Sequence, residues 1–254
     1  MVKPKKHLGQ HFLKDDSVSA KIASSLTGHG GYQTIIEVGP GTGALTKFLL
    51  KRQEDLIAFE VDKESIAFLA NEFPNLMVRD ESFLNFDFVG LNSEKVGVAG
   101  NFPYNISSQI LFKILDKRNL VSECVGMFQK EVAQRVAEKP GSKSYGIISV
   151  FIQAFYDVEY LFTVDEHVFD PPPKVKSGVI RLTRNNVDEL PCDEKLFKTV
   201  VKATFNQRRK MIRNTVKSLV GNVDKQHPLY TKRPEQLSVD DFIALTLFLE
   251  AIIK

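Results

Sequence analysis

Between residues 34 and 129, five short apolar runs alternate with segments of helical period, and this alternation limits the possible folds more than any other feature. The runs are "QTIIEVG", "DLIAFEVD", "NLMVRD", "KVGVAG" and "LVSECVGMFQ". Between or after them, "ALTKFLLKR", "KESIAFLANEF", "ISSQILFKILDKR" and "KEVAQRVAEK" read as helices. Such alternation builds βαβ units and a parallel sheet covered on both faces. Upstream, residues 15–27 read as a helix capped by Asp15 or Asp16 and closed by Gly28. Downstream, after "KPGSKSYG" and a further helix, "DVEYLFTV" and "KSGVIRLTR" read as an antiparallel pair at the sheet edge.

The polar stretch 184–193, broken by Pro191, is a linker by composition. The chain beyond it is helical: a long basic segment, then "SVDDFIALTLFLEAII", where Ser238 and Asp241 have capping-box spacing. The expected architecture is a mostly parallel α/β sheet domain over 1–185 and a small all-α domain over 192–254. A chain of 254 residues can bury a core of that size. No apolar run approaches the roughly 18 residues of a membrane span, and no secretory signal is legible. Cys124 and Cys192 lack metal-ligand spacing, so reduced thiols in a cytoplasmic protein and no bound metal are expected; a monomer is expected as well.

The first strand ends in "EVGPGTGALT", with Gly39, Gly41 and Gly43 at a strand-to-helix turn. Glycines there let the backbone approach a ligand and leave helix amides to receive it. Glu60 closes the second strand about twenty residues on, where an acid accepts both hydroxyls of a ribose. Together they indicate an adenosine-containing cofactor. Dinucleotide sites favour G-x-G-x-x-G; this turn reads G-x-G-x-G after an acid and resembles the first motif of S-adenosylmethionine-dependent methyltransferases.

The fourth strand ends in Asn101-Phe102-Pro103-Tyr104. As a local structure this is a helix start, with Asn as cap and Pro near the first turn. As chemistry it suits an acceptor that is a nucleobase amine, a poor nucleophile whose lone pair is delocalised into the ring. The Asn101 side-chain carbonyl and the Phe102 backbone carbonyl can accept its N–H bonds, Pro103 fixes the turn, and Tyr104 offers a face for a flipped base. Positioning then supplies most of the rate, without a side-chain base.

Asn-Phe-Pro-Tyr after a fourth strand resembles the rRNA adenine N6-dimethyltransferases, and more closely the KsgA type. The likeness extends over "PKKHLGQHFL", "EVGPGTGALT", "NFPYNIS", "MFQKEVAQR", "SYGIISVFIQ", "VFDPPPKVKSGVIRL" and "FNQRRKMIRN". It implies a Rossmann-like class I sheet and S-adenosylmethionine as cofactor. It also implies dimethylation of two adjacent adenosines in a hairpin loop near the 3′ end of 16S rRNA, in the small ribosomal subunit or its precursor. By the same resemblance His11 and Leu13 line the cofactor site with Gly39 and Glu60, Asn101 serves cofactor and amine, and Tyr104 and Phe169 sandwich the adenine. The family's acid after the third strand falls at Ser82 by position, or at Asp80 with a loop shift. Other readings are a 23S rRNA dimethyltransferase of the macrolide-resistance type, an RNA-binding assembly factor that retains the fold, and an NAD-dependent oxidoreductase.

From Lys195 to Val223 there is no acid, yet there are eight basic residues, against a net charge of +3 for the whole chain. On a continuous helix Lys198, Lys202, Arg209, Arg213 and Lys217 share one side, beside an apolar face. Such a stripe suits RNA phosphates, giving affinity rather than sequence choice. Lys210 and Arg208 belong to the same cluster. Arg208 falls near the apolar face, which requires either a break near Asn206 or a partner for the guanidinium.

Overall fold

The structure, a computed structural model, describes residues 2–91, 93–221 and 226–253. It divides the chain into two compact units, Met1–Ala133 with Asp157–Arg184, and Gln134–Tyr156 with Asn185–Lys254. In chain order the elements are β1 (Phe12–Leu13), α1 (Asp16–Ser24), β2 (Thr34–Val38), α2 (Thr46–Leu49), β3 (Asp55–Glu60), α3 (Lys63–Glu72) and β4 (Met77–Asp80). Next come β5 (Val96–Asn101), α4 (Ser107–Asp116), β6 (Val121–Gln129), α5 (Lys130–Ala137) and α6 (Ile147–Gln153). The edge strands are β7 (Tyr156–Val164), β8 (Phe169–Asp170) and β9 (Ser177–Arg184). Helices α7 (Glu194–Asn206), α8 (Ile212–Thr215), α9 (Lys217–Val220) and α10 (Val239–Ile253) complete the chain.

The main sheet has seven strands in the order β4-β3-β2-β5-β6-β9-β7. Strands β4 through β6 are parallel, and β9 runs antiparallel to β6. Every residue of β2 is buried, as a central strand covered on both faces requires, whereas Met77 on the edge strand β4 is exposed. The chain leaves β2 toward β3 and β4, then crosses back to lay β5 on β2's other side. That reversal opens a crevice at the carboxyl ends of β2 and β5, where ligands bind in sheets of this kind. Helix α1 is capped as expected, with the Asp15 carboxylate accepting from the Ser17 amide at 2.8 Å.

Two sequence expectations change, and a third point, left open, is decided. Helix α2 is only four residues long, because residues 41–45 are spent in the turn. The segment 134–156, placed in the first domain by sequence, packs with the C-terminal helices; the ring of Phe151 lies 6.3 Å from that of Phe197. The basic helix is not continuous: α7 stops at Asn206, Gln207 leaves helical geometry, and two short helices come after it. Within this second unit Ser238 and Asp241 form the capping box, each accepting from the other's amide at 3.0 and 3.1 Å. Among the described residues no helix is long and apolar enough to cross a membrane.

Candidate functional site

Four loops at the carboxyl ends of β2, β3, β4 and β5, with the N-terminal segment, enclose a cavity of about 260 Å³. The glycine turn is held by the acid that ends β3. Gly41, at φ +56°, donates its amide to Glu60 Oε2 at 3.0 Å, and a Cβ there would come within 2.9 Å of the Phe12 ring. The other Glu60 oxygen accepts from the amides of Val61 and Asp62 at 2.8 and 2.9 Å. The carboxylate is therefore rigidly placed in the cavity wall, with lone pairs still available. At Gly39, a Cβ would meet only Pro103, 3.7 Å away, so open space lies against this backbone.

The Asn101–Tyr104 loop is pinned from beneath. Phe102 is 1% exposed, and its ring fills the space above Gly126, where a Cβ would come within 2.2 Å of it. Its amide donates to the Met127 carbonyl at 3.2 Å, and Phe128 meets its ring edge-on at 5.1 Å. Asn101, Pro103 and Tyr104 remain in the cavity wall. The Asn101 amide nitrogen donates to the His11 carbonyl at 2.9 Å, so its Oδ1 is the end left to accept from a ligand.

That hydrogen bond fastens residues 5–13 across the cavity as a strap. Its other end is a buried carboxylate: Asp62 receives the Lys5 ammonium, Gln10 Nε2 at 3.2 Å and Ser65 Oγ at 3.0 Å. Burial alone would raise the Asp62 pKa; these donors outweigh it and hold the carboxyl below its ordinary value. His11 Nδ1 donates to the Pro171 carbonyl at 2.7 Å, and the imidazole stacks on Tyr104.

Of the residues expected at the site, His11, Leu13, Gly39, Gly41, Glu60, Ser82 and Asn101 to Tyr104 line this one cavity. Gly43 does not; it makes room for Phe73, whose ring a Cβ there would meet at 2.3 Å. Asp80 is also outside the wall, its carboxylate paired with Lys63. Phe169 is 0% exposed and packs in the core: β8 pairs with β1, setting Phe169 opposite Leu13. Among the described residues, the ring stacked on Tyr104 is that of His11.

Three members of the site were not singled out from the sequence. Glu37, 1% exposed, sits in the wall and accepts from Thr46 Oγ1 at 2.7 Å; burial, with the charge of Glu60, pushes its pKa to about 8. Asp62 and Gln10 hold the strap. The acid before the glycine turn and the Asp in "EVD" were visible, but nothing local indicated their partners.

In the second unit Lys202, Arg209, Lys210, Arg213 and Lys217 are exposed, whereas Lys198 is half-buried and paired with Glu194 at 2.9 Å. Arg208 is held inside the unit, donating to the Ser142 carbonyl at 3.0 Å and lying 3.8 Å from Glu235. The break after Asn206 and the partner for Arg208 thus occur together.

Over residues 1–250 the chain matches the family described as ribosomal RNA adenine dimethylase. The chain belongs to that family. Ribosomal RNA small subunit methyltransferase A of Cytophaga hutchinsonii is 56% identical over 249 residues, covering 96% of each chain. Its namesake in Parabacteroides distasonis is 55% identical over 251 residues, 97% of this chain and 94% of that one. Among solved structures, a dimethyladenosine transferase from Plasmodium falciparum superposes with a TM-score of 0.80 at 24% identity, covering 95% of this chain and 98% of that one. The 23S rRNA methyltransferase ErmE gives 0.66 at 23% identity, over 92% and 99%. These two likenesses establish the fold, a class I methyltransferase sheet with Rossmann-like topology.

Proposed function

We propose that this chain dimethylates the N6 amines of two adjacent adenosines in a hairpin loop near the 3′ end of 16S rRNA, using S-adenosylmethionine. The observation that carries the reading is the union, in one cavity, of Glu60, the Gly39–Gly41 turn and Asn101–Tyr104. The family and the small-subunit relatives at 56% and 55% identity favour this target over a 23S rRNA site, for which ErmE at 23% identity argues fold alone.

The residues fit the cofactor. Glu60, fixed by three amides, has lone pairs for the ribose hydroxyls; Ser82 offers a hydroxyl and Gly39 an unobstructed backbone. When bound, S-adenosylmethionine supplies a methyl group on a sulfonium, a good leaving group. Asn101 Oδ1 and the Phe102 carbonyl accept the N–H bonds of the adenine amine, favouring a more tetrahedral nitrogen whose lone pair faces the methyl. Tyr104 carries the base, while Phe169 supports the strap from the core. By fixing the orientation of the amine, Asn101 and Phe102 would lower the barrier through prepaid orientation.

The exposed cations from Lys202 to Lys217 would meet rRNA phosphates. They suit a folded target read by shape, since a positive surface carries no base preference. The test is incubation with labelled methyl donor and separated ribosomal subunits from a strain lacking the modification, with mapping of the modified bases. Label on two adjacent small-subunit adenosines supports the reading; label confined to the large subunit refutes it.

A further inference from the structure

We propose that Ser177 is a positioning residue for the methyl-accepting base, acting through the hydroxyl of Tyr104. The inference rests on the reading that Tyr104 is the platform for that base. Tyr104 lies in the turn between β5 and α4, outside regular structure, so neither sheet nor helix geometry sets the direction of its ring. Two contacts bear on it: the stacked His11 imidazole and a hydrogen bond of 2.6 Å between the phenol oxygen and Ser177 Oγ. They differ in what they leave open. His11 covers a face that an incoming base can use. The phenol oxygen lies in the ring plane, so a bond to it leaves both faces free and persists when a base is stacked.

Ser177 is a fixed point for such a tether. It is 0% exposed, begins β9, and pairs with Gln129 of β6 in the antiparallel part of the sheet. Burial raises the Tyr104 pKa, against the lowering effect of the Ser177 bond, which keeps the phenol protonated and able to donate. The tether sets the axis of the ring (its χ1 direction), and the base stacked on that ring inherits the setting. A misplacement of 1 Å at a reacting centre costs about 10²-fold in rate, so the axis matters to transfer.

The experiment is steady-state methyl transfer by the full chain, with S-adenosylmethionine and small subunits lacking the modification. It compares Ser177→Ala, Tyr104→Phe, the double variant and Tyr104→Ala. Ser177→Ala and Tyr104→Phe should each lower kcat by about tenfold with cofactor affinity unchanged, and the double variant should lose no more than either, since both delete one tether. Additive losses, or wild-type kcat in Tyr104→Phe, overturn the proposal; the second outcome is decisive even if Ser177→Ala does not fold. If Tyr104→Ala is inactive while Tyr104→Phe and Ser177→Ala are unimpaired, the tether fails and the platform stands. If Tyr104→Ala transfers normally, the platform itself is wrong.

Discussion

The imidazole of His11 lies on the ring of Tyr104, with centroids 5.6 Å apart and planes inclined by 29°. A base needs about 3.5 Å of clearance on each face, so a sandwich between these rings would require a separation of about 7 Å. An adenine using this face of Tyr104 must therefore push His11 aside. His11→Ala removes the ring but keeps the backbone carbonyl that Asn101 grips. Because an aromatic pair is worth about 0.5–1.5 kcal/mol, His11→Ala should lower KM for the RNA by about three- to tenfold with kcat unchanged. A raised KM would mean that the imidazole assists the base instead of occupying its place.

Glu37 should make stability fall as pH rises. Burial and the nearby Glu60 charge raise its pKa from an ordinary 4.5 to about 8, with the Thr46 hydroxyl opposing. Between those limits the folded state holds a proton that the unfolded state has released, so unfolding free energy declines with pH through that window and is level on either side. Glu37→Gln keeps an acceptor for Thr46 and removes the titration. Urea unfolding across the window should show the variant gaining on the native protein as pH rises; parallel curves would contradict the assignment.

Arg208 and Arg209 are adjacent in sequence but should respond to different assays. Arg208 is tied to Ser142 and Glu235 inside the second unit, so Arg208→Gln should cost about 1–2 kcal/mol of stability and leave the salt dependence of RNA binding nearly unchanged. Arg209→Glu with Arg213→Glu should weaken binding and flatten the salt slope by about one for each phosphate no longer neutralised. Filter binding over a salt series separates the two, and an unchanged slope in the double reversal would move the RNA surface elsewhere.

Local rules explain how far the fold was legible. The parallel strands, the Asp15 cap and the Ser238–Asp241 box depend on neighbours in sequence, and the structure shows each of them. Two boundaries depended on distant partners. Residues 134–156 have apolar spacing that suits either unit, and only packing such as Phe151 on Phe197 assigns them. At Asn206 the apolar pattern continues and no Gly or Pro interrupts it, so the stop was signalled only by Arg208 landing on the wrong face. At the site, the glycine turn, Glu60 and Asn101–Tyr104 carry their chemistry in contiguous motifs. The strap could not be read that way, because Lys5 and Gln10 meet Asp62 across more than fifty positions. The resemblance sets Phe169 against the adenine, whereas its pairing opposite Leu13 places it in the core.

Asn101 joins the strap to the proposed acceptor site, and its replacement is the most direct test. Single-turnover methyl transfer should be compared for the native protein and Asn101→Ala, on unmodified small subunits with S-adenosylmethionine saturating, alongside subunit binding. Loss of one oriented polar group that acts on the reacting atoms costs about 10²–10³-fold, so transfer should fall by at least that factor while subunit binding is retained. Transfer by Asn101→Ala within a few-fold of the native rate would contradict the claim that this amide orients the adenine amine.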